Sequence, residues 1–135
     1  MIVVDTSAVV AILAAEPEAP LFARVAGTHD DLVMSTGTRL ELAIVAHAKW
    51  AQRGMHLVEG LLSEMRVAFY PFDQRQMDIA MDAHRRFGRG SGHPAKLNYG
   101  DCFSYALARA LDAPLLFKGD DFIHTDLRSA LSSPP

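Results

Sequence analysis

The chain opens with the stretch MIVVDTSA, residues 1–8, in which a β-branched apolar run stops at the carboxylate of Asp5. An uninterrupted apolar run of this kind favours a strand that is buried on both faces. Thr6 and Ser7 are residue types that cap helices, so they predict the start of a short helix over 8–15. A buried strand that passes directly into a helix is typical of a parallel α/β sheet.

The remainder of the chain repeats this alternation of strand and helix patterns. We expect further strands over 31–35, 67–70 and 115–117, a candidate edge strand near 126–127, and helices over 16–27, 38–53, 56–65, 74–87 and 100–111. Gly54 is expected to end the helix over 38–53, and the glycine-rich segment 88–94 to form a flexible loop. We therefore predict a three-layer α/β/α domain over 1–135, with a short, mostly parallel sheet flanked by helices.

Two helical stripes are expected to face the core because their apolar residues recur at helical spacing. They are Leu40, Ala43, Ile44 and Ala48 in the third helix and Met77, Ala80, Met81 and His84 in the helix over 74–87.

Composition restricts the class of protein. A length of 135 residues supports one domain. The net charge of −3, from 16 acids and 13 bases, argues against simple coating of duplex nucleic acid. The single cysteine, Cys102, excludes an intrachain disulfide and fits a reducing compartment. The longest apolar run, Ala8–Ala15, is far short of the ~20 residues that cross a bilayer, so we expect a cytoplasmic protein without a membrane segment.

Acidic residues from four separate segments fall at the predicted ends or starts of elements: Asp5, Glu41, Asp101, and Asp120 with its neighbour Asp121. The carboxyl ends of parallel strands meet at one edge of the sheet, where ligands bind. Carboxylates gathered there would repel one another unless a divalent cation neutralised them. Oxygen ligands favour Mg²⁺ or Mn²⁺, and such ions support phosphodiester hydrolysis.

Each of these acids also has a simpler explanation. Asp5 and Asp101 are suited to capping helices, and Glu41 to interacting with a helix dipole. Gly119–Asp121 is an ordinary turn composition. Spacing and composition leave both interpretations open.

The sequences around these acids resemble the PIN domain family, and more narrowly its VapC-type toxins. The resemblance rests on MIVVDTSA (1–8), TRLELA (38–43), LNYGDCFSYALA (97–108) and LLFKGDDF (115–122), which keep the family's order and approximate spacing over nearly the whole chain. It implies a Mg²⁺-dependent endoribonuclease, for which Mn²⁺ can substitute, with RNA as substrate. It also implies a toxin neutralised by a VapB-type antitoxin, assembled as a homodimer and as a toxin–antitoxin hetero-oligomer.

The resemblance assigns the catalytic positions residue by residue. Asp5 and Asp101 match the principal metal ligands, Glu41 matches the second acid, and Asp120 matches the fourth acid and a further metal ligand. Asp121 is the alternative for the fourth acid, because the turn varies among members of the family.

The resemblance also extends to residues beside the acids. Thr6 and Ser7 match small hydroxyl residues that line the pocket and hold the first aspartate. The stretch 35–41 lacks a proline that is common there in relatives, so the loop before that helix is expected to differ. In such a pair the antitoxin would insert a basic or polar side chain into the acidic pocket.

Basic residues are concentrated near the glycine-rich segment: Arg85, Arg86, Arg89 and Lys96, with His93 among them. They are candidates for contact with an RNA backbone, since arginine and lysine neutralise phosphates. The alternative is a solvated loop without a binding role.

Two other functions fit the sequence less well than a nuclease. A non-catalytic PIN-like module that binds RNA or a partner is disfavoured because acids occupy all four positions. An aspartate-based α/β phosphatase would need a second aspartate two residues after its nucleophile, whereas Ser7 stands at that distance from Asp5.

Overall fold

Four short strands form one parallel sheet in the computed structural model, which describes residues 1–131. The strands are β1 (Ile2–Val4), β2 (Leu32–Ser35), β3 (Ala68–Tyr70) and β4 (Leu115–Leu116), and their order across the sheet is β3-β2-β1-β4. Val3 pairs with Val33 on one side and with Leu115 on the other, so β1 is an interior strand.

Helices cover both faces of the sheet. They are α1 (Thr6–Leu13), α2 (Ala19–Thr28), α3 (Thr36–Glu64), α4 (Gln74–Phe87) and α5 (Tyr99–Leu111), and a 3₁₀ turn follows at Phe122–His124. Because side chains alternate along a strand, Ile2 and Val4 pack against α1, α2 and α3, while Val3 packs in a second core with α4 and α5. The predicted three-layer α/β/α fold is therefore confirmed.

The first two helices begin differently from the prediction. Asp5 caps α1, since its side chain accepts a hydrogen bond from the Ser7 N–H at 3.0 Å, and the predicted capping role of Thr6 and Ser7 is wrong. α2 begins at Ala19 rather than at residue 16, with Pro20 in the first turn, where a missing N–H has no intrahelical partner to lose.

α3 consists of two helical segments joined across a kink, which correspond to the two helices predicted over 38–53 and 56–65, but the break lies three residues before the predicted stop at Gly54. The bend is at Ala51, whose backbone is non-helical at φ 54° and ψ −143°. Gly54 does not end a helix. It lies beyond the bend at a close contact, where a Cβ atom would come within 2.4 Å of the Ala46 carbonyl oxygen.

The two stripes predicted to face the core are largely exposed, so that prediction is wrong for most of their residues. Leu40 and Ile44 are 63% and 61% exposed, Met77 and Met81 are also exposed, and only Ala80 is buried. The faces that are buried carry Thr38, Leu42 and Ala46 in α3 and Gln76, Ala80, Ala83 and Phe87 in α4. Polar Thr38 and Gln76 on the buried faces explain why apolar periodicity selected the wrong stripes.

The segment predicted to be a flexible loop has internal contacts. Gly88 and Leu97 form an isolated bridge, and the His93 ring packs edge to face on Phe87 with 4.8 Å between centroids. No strand forms at 126–127 within the described residues. The nearest pairing is a single bridge between Leu115 and Ser129.

Among the helices described for residues 1–131, none combines the length and the apolar character that a membrane span requires.

Two glycines of α3 provide a test of the close contact beyond the bend. We predict that Gly54→Ala lowers the free energy of unfolding by about 1–3 kcal/mol, because the added methyl group would meet the Ala46 carbonyl. Gly60 is exposed and has open space around it, so Gly60→Ala should raise stability by about 0.5–1 kcal/mol through helix propensity. Urea denaturation measures both values, and equal effects of the two substitutions would contradict the packing described here.

Candidate active site

The carboxylate of Asp5 stands where β1 ends, and only 3% of the residue is exposed. Its Oδ2 accepts hydrogen bonds from the Ser7 hydroxyl at 2.6 Å and the Ser7 N–H, and its Oδ1 accepts one from the Ser104 hydroxyl at 2.5 Å. Since the Ser104 proton is used on Asp5, Thr38 donates its own to Ser104 at 3.1 Å. Three helices thus contribute to holding one buried carboxylate.

Glu41 lies on α3, and its side chain extends toward the buried carboxylate of Asp5. Its Oε1 accepts a hydrogen bond from the Thr6 hydroxyl at 2.6 Å. Its Oε2 lies against the backbone of α5, where a Cβ atom on Gly100 would fall 1.5 Å away. Burial raises the pKa of Glu41; the Thr6 hydrogen bond opposes this shift and the Asp5 charge adds to it.

Asp101 lies in the first turn of α5, within a capping box. It accepts a hydrogen bond from the Asn98 N–H at 3.0 Å, while its own N–H donates to the Asn98 side chain at 2.9 Å. Burial raises the pKa of Asp101 to about 7, against the lowering effect of the Asn98 N–H, and the charges of Asp5, Asp121 and Glu41 reinforce the rise.

The turn after β4 supplies a further acid. Asp120 and Asp121 are both exposed, and the one whose charge acts on Asp101 is Asp121. Of the two candidates for the fourth acidic position, Asp121 is thus the one whose charge reaches Asp101.

The chemistry of this donor set fits a hard divalent cation. Oxygen atoms from separate segments are directed to one partly buried place, and none of the ion pairs within residues 1–131 involves Asp5, Glu41, Asp101 or Asp121. Unrelieved negative charge in a buried site is what a divalent cation neutralises. In the described part of the chain, no three acidic, histidine or cysteine side chains are already positioned as ligands of one ion. Thr6 and Asn98 each donate to one oxygen of Glu41 and of Asp101, and the second oxygen of each accepts no hydrogen bond from the described residues.

The basic candidates divide into two groups. Arg85 and Arg86 both pair with Asp82 on α4. Arg89 and Lys96 instead line a cavity of about 600 Å³ together with Asp121. Lys118, close to the acids in sequence, pairs with Glu16 and Glu18.

Three residues that support the acids were not anticipated from the sequence: Thr38, Gly100 and Ser104. Ser104 had a recognisable signal, because it follows Asp101 by three positions and so shares a face of α5. Thr38 is similarly three positions before Glu41 in α3. The role of Gly100 depends on a contact between two helices and leaves no local signal.

Comparisons with known proteins agree with this architecture. The PIN domain family model matches residues 2–127. Ribonuclease VapC of Mycolicibacterium smegmatis is 46% identical over 125 residues, which cover 93% of this chain and 96% of that protein. Ribonuclease VapC42 of Mycobacterium tuberculosis is 41% identical over 128 residues, covering 95% and 98%.

Two solved structures share the fold at 16% identity. One is Mycobacterium tuberculosis VapC20, described as a sarcin-ricin loop cleaving toxin, with a TM-score of 0.71 and coverage of 94% of this chain and 96% of that one. The other is VapBC2 from Rickettsia felis bound to a DNA fragment from their promoter, with a TM-score of 0.73 and coverage of 96% and 97%.

The charge repulsion in the site predicts a measurable effect on stability. In EDTA at pH 8, Asp101→Asn should raise the Tm by roughly 3–6 °C, because it removes a buried charge while the amide oxygen can still accept from Asn98. The fold raises the pKa of Asp101 from 3.8 to about 7. At a pH between these two values the Asp101 carboxyl group keeps its proton in the folded chain, whereas it has lost the proton in the unfolded chain. Stability of the wild type should therefore fall as pH rises through this window.

The matched control is the exposed Asp30→Asn, which should leave the Tm unchanged at either pH. The gain from Asp101→Asn should vanish at pH 4. A gain of the same size at pH 4 and pH 8 would contradict an origin in the carboxylate charge.

Proposed function

This chain belongs to the PIN domain family, and from that premise we propose that it is a metal-dependent endoribonuclease that hydrolyses RNA phosphodiester bonds. The observation that carries the proposal is the convergence of Asp5, Glu41 and Asp101 at the carboxyl edge of the sheet. Relatives named as ribonucleases match more than nine-tenths of this chain and of their own length, which supports the same activity here.

In this proposal Asp5, Asp101 and Asp121 would hold Mg²⁺ or Mn²⁺, with Asp120 as the alternative to Asp121. When bound, the ion lowers the pKa of an attacking water and stabilises the charge that develops on the scissile phosphate. Ser7 and Ser104 keep the two oxygens of Asp5 in fixed directions.

Glu41 is suited to orient the attacking water and accept its proton. Thr6 donates to Oε1, whereas Oε2, which lies beside Gly100, accepts no hydrogen bond from the described residues and can accept one from the water. Burial raises the pKa of Glu41, and a carboxylate with a raised pKa is a better proton acceptor than an exposed one.

The chain would act as the toxin of a type II toxin–antitoxin pair, with a VapB-type antitoxin as its partner. Likeness over most of the chain to proteins named VapC supports this assignment. An acidic pocket whose carboxylates form no ion pair within residues 1–131 favours inhibition by a basic or polar antitoxin side chain that enters it, in competition with the metal ion.

The nuclease proposal is tested with purified protein and a mixture of structured RNAs. Cleavage should require Mg²⁺ or Mn²⁺ and stop with EDTA. Asp5→Asn and Asp101→Asn should each lower the rate by about 100-fold or more, because both remove charge at the proposed metal site. Circular dichroism should show an intact fold, and cleavage at the wild-type rate by either variant would contradict the mechanism.

Asp121→Asn and Asp120→Asn form a matched pair for the fourth acid. We expect at least a tenfold loss of cleavage from Asp121→Asn and little change from Asp120→Asn, because Asp121 is the neighbour that acts on Asp101. The reverse order would restore the alignment that the sequence suggested.

We further propose that the chain forms a homodimer through the exposed stripe of α3. Leu40 and Ile44, two large aliphatic side chains one turn apart, are unusually exposed there. Ile44→Glu should convert the dimer to a monomer in light scattering coupled to size exclusion. Ile123→Glu is the matched control, because Ile123 is 57% exposed and lies on the 3₁₀ turn. A monomeric wild type would contradict the proposal.

A further inference from the structure

An apolar cavity of about 640 Å³ lies between α4 and the beginning of α5. Its walls include Phe72, Met77, Met81, Leu97, Tyr99 and Phe103. The volume is within the ~300–1,000 Å³ typical of pockets that hold small ligands or parts of larger ones. The exposed methionines that the sequence assigned to the core thus form a wall of this cavity.

Tyr99 is the most unusual residue of the wall, because 82% of it is exposed. Its ring stands edge to face with Phe103, with 5.1 Å between centroids, and Phe103 contacts Phe72 in the same way at 4.8 Å. Exposed aromatic rings held in this manner are the platforms on which single-stranded nucleic acids stack their bases.

The cavity approaches the acids through the beginning of α5. Tyr99 precedes Asp101 by two residues in the first turn of α5. Asn98 lines the cavity and also makes both capping hydrogen bonds with Asp101. A base in the cavity would therefore lie beside the proposed site of phosphate hydrolysis.

Arg89 connects this cavity to the one that Lys96 and Asp121 line, because it borders both. The basic side chains at the border of the apolar cavity are Arg89 and His84. Apolar walls next to arginine and lysine match the two halves of a nucleotide, an apolar base and an anionic phosphate.

We propose that the apolar cavity binds one base of the RNA substrate next to the scissile phosphate, with Tyr99 stacking on the base and Arg89 contacting the adjacent phosphate. The proposal rests on the nuclease function and deepens it, because it makes Tyr99 a residue that sets which base is accepted at the cut site. Base discrimination and phosphate attraction are thereby assigned to different side chains.

Binding without cleavage tests the proposal. Fluorescence anisotropy would measure the affinity of the Asp5→Asn protein, in EDTA, for labelled RNAs of six nucleotides that each contain only one kind of base. The reference is a strand of the same length built from abasic sugars. We expect at least one base to bind about tenfold more tightly than the abasic strand, the size of one base stacked on one aromatic ring. Adding Tyr99→Ala should remove this preference, and Tyr99→Phe should keep it.

Arg89→Ala should weaken the binding of the base-bearing and abasic strands by the same factor, because it removes a phosphate contact. The controls are Phe69→Ala, an exposed aromatic on β3, and Arg24→Ala, an exposed arginine on α2, and neither should change either affinity. The proposal is overturned if Tyr99→Ala leaves the ratio between the affinities for the base-bearing and abasic strands the same as in its parent protein.

Two further outcomes separate this proposal from others. If the wild type cleaves RNA but Tyr99→Ala leaves both the cut-site base preference and the binding ratio unchanged, the base site is wrong and the nuclease stands. If the base preference in binding is present and depends on Tyr99 but no RNA is cleaved, the base site stands and the nuclease is wrong. Conversion of a dimer to a monomer by Tyr99→Ala, with an unchanged binding ratio, would make the cavity a subunit contact and overturn the proposal.

Discussion

The buried carboxylate of Asp5 accepts hydrogen bonds from α1 through Ser7 and from α5 through Ser104, which Thr38 of α3 holds in turn. A charge in this position is costly unless such donors surround it, so its placement fixes the relative positions of β1 and three helices. Glu41 extends the same arrangement through Thr6. The site is therefore rigid because its hydrogen bonds also join the elements of the fold.

Repulsion among the acids is the cost of this arrangement. The fold brings the charges of Asp5, Glu41 and Asp121 near Asp101, and burial deprives that group of water. Positive charge from outside the chain would relieve the repulsion, whether it came from a metal ion or from a partner's basic side chain. In the function that we propose, the repulsion among these carboxylates thus favours both activation and inhibition, which compete for the same oxygen atoms.

The sequence was most informative where local pattern alone determines the structure. The bounds of the strand before Asp5 and of the helices α4 and α5 are close to those predicted, because these bounds follow from the local sequence. The buried faces of α3 and α4 could not be identified in this way. Thr38 is buried because Ser104, 66 residues later, satisfies its hydroxyl, and no local window contains that information. Similarly, Asp120 and Asp121 are equivalent in a turn sequence, and only the path of the backbone decides which one approaches Asp101.

The interior position of β1 has a consequence for how the protein is made. The first strand of the chain pairs with the last, and the Asp5 N–H donates to the Leu116 carbonyl at 3.0 Å. During synthesis, one edge of β1 therefore remains unpaired until more than a hundred further residues have left the ribosome. Such a delay is expected when strands far apart in the sequence pair in parallel. Nascent or prematurely ended chains would carry Asp5 and Glu41 without the strand that positions the last acid. In the function that we propose, the site would therefore be complete only after the chain has been synthesised past Asp121.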